Sequence, residues 1–332
     1  MTQPTSRLQE DGERHMRKPV AVDYVKGHMG GNEILLLHES QIPKRDRLKI
    51  VLSILDPPSI RGDQAALLEK PKRDGDIKVT IVDRASRDYI KACGGMTQVL
   101  CKAVLETGLG KQYRIHLPRK LLTIETDSGT VRISIGGTRH RPTILTDMTT
   151  FVEECHRLGI STIQVAGVEA TKVGRFLVAD AEKIRARHPD ADFTTMNASG
   201  VEILTSMQAD FNRQRLSNAR NADYSLYSMY PDDPTRGRVL FPHNIAGDHI
   251  EPSCGSGSVA VAIALAHTKR LGDGVSSLRF DSGGAPVLGG PETTRAKVAV
   301  QDGRVVTAEF THSLVEIVST GKVWLPLSMS PM

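Results

Sequence analysis

Aromatic residues are scarce in this chain, at 4% of 332 positions with a single Trp. So few rings cannot furnish the stacking platforms on which single-stranded nucleic acid is held. Charge of one sign is also wanting. Lys and Arg number 43 against 38 Asp and Glu, a net of +5, and the basic residues are scattered rather than gathered into a stripe. That excludes a nucleic-acid partner and leaves room for small anions. No apolar run approaches the ~18 residues of a membrane span. The opening MTQPTSRLQEDGERHMRKPV holds no apolar block of the kind a secretory signal needs. A cytoplasmic protein without membrane contact is expected. Cysteine is limited to Cys93, Cys101, Cys155 and Cys254, none in C-x-x-C spacing. This argues against a zinc knuckle or a thioredoxin-type pair, and in a reducing compartment the thiols should be free. No P-loop, strand–GxGxxG–helix unit or metal-ligand spacing occurs, so no cofactor and no metal is expected.

What is present is an ordinary globular composition, 39% hydrophobic and 24% charged, in a chain long enough for two cores. Residues 1–18 are polar and aperiodic and read as a disordered extension. Strands are expected over 20–25, 34–37 and 77–82, and a helix over 45–55, ended by Pro57-Pro58. Residues 92–110, ACGGMTQVLCKAVLETGLG, read as a Gly-rich opening, an apolar helix and a stop at Gly108. The hairpin LLTIET–DSG–TVRISI follows.

The second half repeats this plan. SCGSGSVAVAIALAHTKRLG, residues 253–272, is followed by the hairpin RAKVAV–QDG–RVVTAEF. The two Cys-Gly steps stand half a chain apart, too long a period for a solenoid, and imply two similar α/β domains facing each other. Gly136-Gly137 and the polar run after it mark the boundary. The expected domains are 19–137, completed by about 313–332, and 138–312. VAVAIALA is apolar all round and should be wholly buried. Residues 210–222, DFNRQRLSNARNA, show no apolar face and read as an exposed loop or surface helix.

Cys93 and Cys254 occupy equivalent places, each followed by Gly and each opening a helix. A thiol there feels the helix dipole and unpaired N–H groups, which favour its thiolate. The N–H groups of Gly94, Gly95, Gly255 and Ser256 could hold a carboxylate between the two helix ends. Two sulfurs flanking one bound carboxylate make an acid–base pair, one removing a proton and the other returning it on the opposite face. Cys101, well inside its helix, and Cys155, in FVEECHRL, read instead as small buried hydrophobes.

These motifs resemble the diaminopimelate epimerase family of cofactor-independent racemases and epimerases. Gly30-Gly31-Asn32-Glu33-Ile34 resembles the family's GxGNDF opening, and Ser59-Ile60-Arg61-Gly62-Asp63-Gln64 its GxGADQ element. DRASRDYIKACGGM is similar to the NADGSE…CGNG segment, Thr195-Met196-Asn197-Ala198 to the TNV segment, and Ser253-Cys254-Gly255-Ser256-Gly257-Ser258 to the ACGTGA segment. The last also resembles the SPCGTGT run of proline racemases. The resemblance spans about residues 20–326 and implies an α/β (α+β) fold of two pseudo-symmetric domains, each a curved mixed sheet around a central helix. It implies Cys93 and Cys254 as catalytic residues. It carries substrate contacts onto Asn32, Gln64, Asp83, Gly94, Gly95, Asn197, Gly255 and Ser256.

The departures are as informative. The family's ERG stretch holds the distal carboxylate of diaminopimelate with an Arg, and NIAGDHIEPSC has none. Its GNPH element survives only as Gly167-Val168-Glu169-Ala170, and Gly95 and Asp83 replace two Asn. Asp248, His249 and Glu251 could line the pocket instead, and Lys172 and Arg175 could anchor an anion. A Cys-His hydrolase built on His249 and Cys254 would leave the duplicated cysteine unexplained.

The expectation is a racemase or epimerase without pyridoxal phosphate, inverting the Cα of an amino acid other than diaminopimelate. Its partner would be that small amino acid or amino-acid-like acid, and the enzyme could be a homodimer. Two alternatives remain open: a double-bond or cis-trans isomerase of an unsaturated polycarboxylate on the same fold, and an inactive ligand-binding relative.

Overall fold

The structure, a computed structural model, describes residues 20–138, 141–194, 196–216, 223–244, 249–282 and 292–325. The extension expected over 1–18, together with Thr195 and Asp248, lies outside these residues.

In the first half, β1 (Val20–Met29) and β2 (Asn32–His38) form a hairpin through Gly30-Gly31, whose φ values of 54° and 90° need glycine. Helix α1 (Arg47–Leu55) ends at Asp56, just before Pro57-Pro58. It buries Ile50, Val51, Ile54 and Leu55 and carries the chain across to β3 (Gln64–Glu69), which runs parallel to β2. β4 (Ile77–Asp83) turns back antiparallel, followed by the short β5 (Asp88–Ile90). α2 (Gly94–Glu106) stops short of Gly108, and a further turn, α3 (Leu109–Gln112), leads to the hairpin of β6 (Leu121–Thr126) and β7 (Gly129–Thr138). β6 lies parallel to β4, so α2 is the crossover that parallel pairing demands. β8 (Arg141–Asp147) adds antiparallel to β7.

The second half follows the same pattern. α4 (Thr149–Leu158) precedes β9 (Ile160–Val165), which pairs with β10 (Val168–Val173), and β11 (Phe176–Asp180) follows. α5 (Ala181–Arg185) and α6 (Ala198–Arg213) cross over to β12 (Asp223–Tyr230), parallel to β11. β13 (Asp233–Asn244) and the short β14 (His249–Glu251) repeat β4 and β5. α7 (Gly255–His267) crosses over to β15 (Gly274–Asp281), parallel to β13 as β6 is to β4. β16 (Thr293–Gln301) and β17 (Arg304–His312) complete the meander, and β18 (Val315–Leu325) returns to pair with β1 as β9 pairs with β10. Two copies of one mixed α/β topology therefore join in a single sheet, closed by the β8–β17 pairing.

Each half wraps its sheet around its own helix. Every residue of α7 from 257 to 266 is buried, as the unbroken apolar run required, and α2 is buried from Gly94 to Cys101. Both helices belong to one continuous core. Cys101 and Cys155 are buried within it. Smaller clusters lie beneath α1 and beneath α5 and α6. The expected exposed segment at 210–222 is corrected in its first part. Residues 210–213 continue α6, Phe211 is fully buried in its cluster, and Leu216 packs against that cluster half-buried. Residues 217–222 lie outside the description. Among the described residues no helix is long and apolar enough to cross a membrane.

Candidate active site

Cys93 is the N-cap of α2 and Cys254 the N-cap of α7, both in extended conformation, φ −148° and −139°. Each sulfur takes the place of the usual cap oxygen. Met96 donates its backbone N–H to Cys93 Sγ at 3.3 Å, and Gly257 donates to Cys254 Sγ at 3.4 Å. This leaves the N–H groups of Gly94, Gly95, Gly255 and Ser256 in the first turns, where a helix has no internal acceptor for them.

The two helix starts abut. A Cβ built on Gly94 would lie 3.3 Å from Gly255 Cα and 2.9 Å from the Phe310 ring, and one on Gly255 would lie 2.6 Å from that ring. Only glycine permits this approach. Phe310, fully buried on β17, is the wedge that both glycines rest against. Its inward direction follows from the alternation of Ala308, Phe310 and His312, all buried.

Around the sulfurs the halves exchange polar contacts. Cys93 Sγ donates to Gln64 Oε1 at 2.8 Å, and Gln64 Nε2 donates to Asp83 Oδ1 at 3.2 Å. Ser256 Oγ lies 3.3 Å from Cys254 Sγ. Asn32, fully buried at the start of β2, donates Nδ2 to the buried carboxylate of Glu251 and to Ser253 O at 3.3 Å. The Asn32 amide thus ties the first hairpin to the segment that leads into Cys254. Among the described residues no group of three His, Cys, Asp or Glu side chains converges as metal ligands would.

One expectation is corrected here. The helix start does not hold Cys93 as an easy thiolate. Burial pushes its thiol well above the ordinary value, the negative charge of Glu251 pushes it further, and the Met96 N–H opposes them. Cys254 and Asp83 add to the rise. Desolvation of a buried sulfur outweighs the half-charge of a helix end.

Gln64, Gly94, Gly95, Asn32, Glu251, Gly255 and Ser256 therefore gather about the two cysteines, with Asp83 behind Gln64. Gly95 opens towards Asn32, since a Cβ there would lie 3.6 Å from Asn32 Nδ2 and 3.8 Å from Cys93 Sγ. Asn197 is not part of this group. It caps α6, accepting from Gly200 N at 2.8 Å and Asp192 N at 3.0 Å and donating to Asp190 O, so its hydrogen bonds among the described residues are local. Lys172 and Arg175 are not anion anchors either. Lys172 Nζ donates to Leu158 O and Gly159 O at the end of α4, and Arg175 pairs with Asp223 at 2.6 Å. The His249 backbone lies in β14, opposite Asn244; its side chain, like the whole of Asp248, is outside the described residues.

Phe310, Ser225 and His312 carried no local signal, and Ser253 was legible only as a member of the motif around Cys254. Besides Phe310, Ser225 is fully buried on β12, with Oγ donating to Gly257 O at 3.3 Å. Ser253 is fully buried, its Oγ without a hydrogen-bonding partner among the described residues. His312 packs its ring against Gly30, where Ser253 also touches, and burial pulls its pKa down to about 4. All but Ser253 are strand residues: Phe310 meets Gly94 and Gly255, Ser225 meets Gly257 and His312 meets Gly30 through pairing far along the chain.

No family model matches the chain, and no curated protein matches it. Solved structures do. A hydroxyproline epimerase from Agrobacterium vitis with bound trans-4-OH-L-proline superposes with a TM-score of 0.63 at 14% identity, covering 94% of this chain and 93% of that one. A PhzF-family phenazine biosynthesis protein from Bacillus anthracis gives 0.58 at 12% identity, over 92% and 99%. A methylitaconate-delta-isomerase gives 0.57 at 12%, over 92% and 96%. The chain has the diaminopimelate epimerase-like fold of two pseudo-symmetric domains.

Proposed function

We propose that the protein is a cofactor-independent racemase or epimerase acting at the Cα of an amino acid or amino-acid-like acid, with Cys93 and Cys254 as its two proton-transfer groups. The observation that carries this reading is the pair of N-capping cysteines on abutting helices. A carboxylate seated on the N–H groups of Gly94, Gly95, Gly255 and Ser256 would place its Cα between the sulfurs. One sulfur, as thiolate, takes the Cα proton, and the other, as thiol, returns one to the opposite face. Negative charge developing on the carboxylate is met by preorganised N–H donors in a site closed to water. Gln64 and Asp83, and Asn32 with Glu251, hold the surrounding frame.

Diaminopimelate is not the expected substrate. Its distal carboxylate needs paired donors, ordinarily a bidentate Arg. The segment before Cys254 contributes Glu251 instead, and Lys172 and Arg175 are engaged elsewhere. An unpaired buried carboxylate costs several kcal/mol, roughly a thousandfold or more in affinity. Incubating the protein in D2O with LL-diaminopimelate and with basic, polar and acidic amino acids tests both points. Cα deuterium uptake with one of the other amino acids is expected. Efficient epimerisation of diaminopimelate would refute the substrate reading.

A second reading has its own support. The similar methylitaconate-delta-isomerase fold carries double-bond migration by name, and that chemistry also removes and returns one proton. Such a reaction changes ultraviolet absorbance of an unsaturated polycarboxylate, whereas racemisation changes optical rotation.

A further inference from the structure

The two cysteines are built alike but surrounded differently. Cys254 Sγ receives the Gly257 N–H and has the Ser256 hydroxyl 3.3 Å away, a group free to turn its proton towards sulfur. Cys93 Sγ also receives one N–H, from Met96, but its side-chain neighbour is the Gln64 carbonyl oxygen, 2.8 Å away. That amide has a fixed sense. Its Nε2 faces the Asp83 carboxylate, which can only accept, so Oε1 must be the atom turned to Cys93. Asp83 is held in turn by accepting the Ser86 N–H at 2.7 Å. An acceptor facing sulfur stabilises S–H, and donors facing sulfur stabilise S⁻.

At Cys93 charge acts in the same sense as the Gln64 carbonyl. Glu251 from β14, Asp83 from β4 and Cys254 itself all disfavour negative charge at Cys93. The histidines on neighbouring strands, His28 on β1 and His312 on β17, are buried, and His312 is held neutral by that burial. Two neighbouring thiolates also repel, so at neutral pH the pair carries at most one charge. With the Gln64 acceptor facing Cys93, hydrogen bonding favours that charge on Cys254.

We propose that Cys254 rests as the thiolate and Cys93 as the thiol, and that Gln64, oriented by Asp83, is the positioning residue that keeps the proton on Cys93. The consequence for turnover rests on the racemase reading. The Cα–H bond breaks as the Cys254 S–H bond forms, and the electron pair remains on Cα and its carboxylate. The Cys93 S–H bond then breaks as the proton passes to the opposite face of Cα. The product form carries a thiolate against the Gln64 carbonyl and a thiol at Cys254, so it must exchange protons to return. The resting enzyme therefore meets the enantiomer whose Cα–H faces Cys254 in the competent state.

The test uses the full chain without substrate. Thiolate absorbance near 240 nm is followed from pH 5 to 10 for the wild type, Cys93→Ser and Cys254→Ser. Cys101 and Cys155, pushed up to about 12 by burial, stay silent. At pH 7 the Cys93→Ser protein should keep most of the signal, and Cys254→Ser should lose at least ~10-fold of it. Limiting iodoacetamide on the wild type, mapped by mass, should label Cys254 at least ~10-fold faster than Cys93. Exposure does not supply that ratio, since the two residues are 7% and 9% exposed. Asp83→Asn frees the Gln64 amide to turn its NH2 towards sulfur and should raise the Cys93 to Cys254 labelling ratio at least ~10-fold. Equal or reversed labelling in the wild type overturns the assignment, and so does thiolate absorbance that persists in Cys254→Ser. An unchanged ratio in Asp83→Asn overturns the role of Gln64. None of these readouts needs turnover, so a protein inactive towards amino acids can still pass, and an active racemase can still fail.

Discussion

Gly94 and Gly255 face each other across the two halves so closely that a Cβ on Gly94 would lie 3.3 Å from the Cα of Gly255, with the Phe310 ring against both. Adding a methyl at Gly255 leaves the ring no room, because the clash at 2.6 Å is with a fully buried side chain. Gly255→Ala should lower stability by about 1–3 kcal/mol, the usual cost of overpacking. It should reduce activity by at least ~100-fold, because displaced helix starts no longer present their N–H groups together. Denaturant midpoints and turnover measure the two effects. Gly255→Ala with Phe310→Leu should recover stability in part; no recovery would mean that the ring is not the obstacle.

Cys93→Ser and Cys254→Ser should each fold and lose at least ~10²–10⁴-fold in racemisation, since a hydroxyl is far less acidic than a thiol. Each single variant should still exchange the Cα proton of one enantiomer, through the base that remains. Near-normal turnover by either variant would sink the two-sulfur reading.

Mild oxidation should inactivate the protein and dithiothreitol should restore it. This expectation rests on the abutting helix starts, since a bridge needs Cα atoms within ~7 Å. Cys101 and Cys155 are buried, with thiols pushed up to about 12, and should survive unmodified. Peptide mapping decides; an inactivating modification confined to Cys101 or Cys155 would identify the wrong pair.

His312 should make the fold acid-sensitive. Its pKa falls from 6.5 to about 4 because burial disfavours the charged ring. Above pH 6.5 both folded and unfolded chains carry it neutral, and it costs nothing. As pH drops below 6.5 the unfolded chain binds the proton first, so stability declines until about pH 4, by at most about 3 kcal/mol. Urea unfolding of the wild type and His312→Asn at pH 7 and pH 4.5 gives the contribution. The variant should lose less stability on acidification, and parallel curves would remove His312 from the account.

Much of this molecule is written locally. The helix starts at Cys93 and Cys254 are legible because a cap, its glycines and the apolar run after them lie within a few adjacent positions. The same holds for Pro57-Pro58 ending α1 and for the turns at Ser128 and Asp302. The duplication is legible because one local signal occurs twice. What escapes sequence reading is whatever depends on which strand lies beside which. Gln64 reaches Cys93 because β3 pairs between β2 and β4, Asn32 reaches Glu251 across more than two hundred residues, and Phe310 and His312 meet the site through β17. Asn197 shows the opposite error, since an Asn before a helix satisfies the same pattern whether it binds a ligand or caps backbone N–H groups. Even the protonation of Cys93 escapes the local rule. A helix start is a property of neighbouring residues, whereas desolvation is set by everything the completed fold packs around the sulfur.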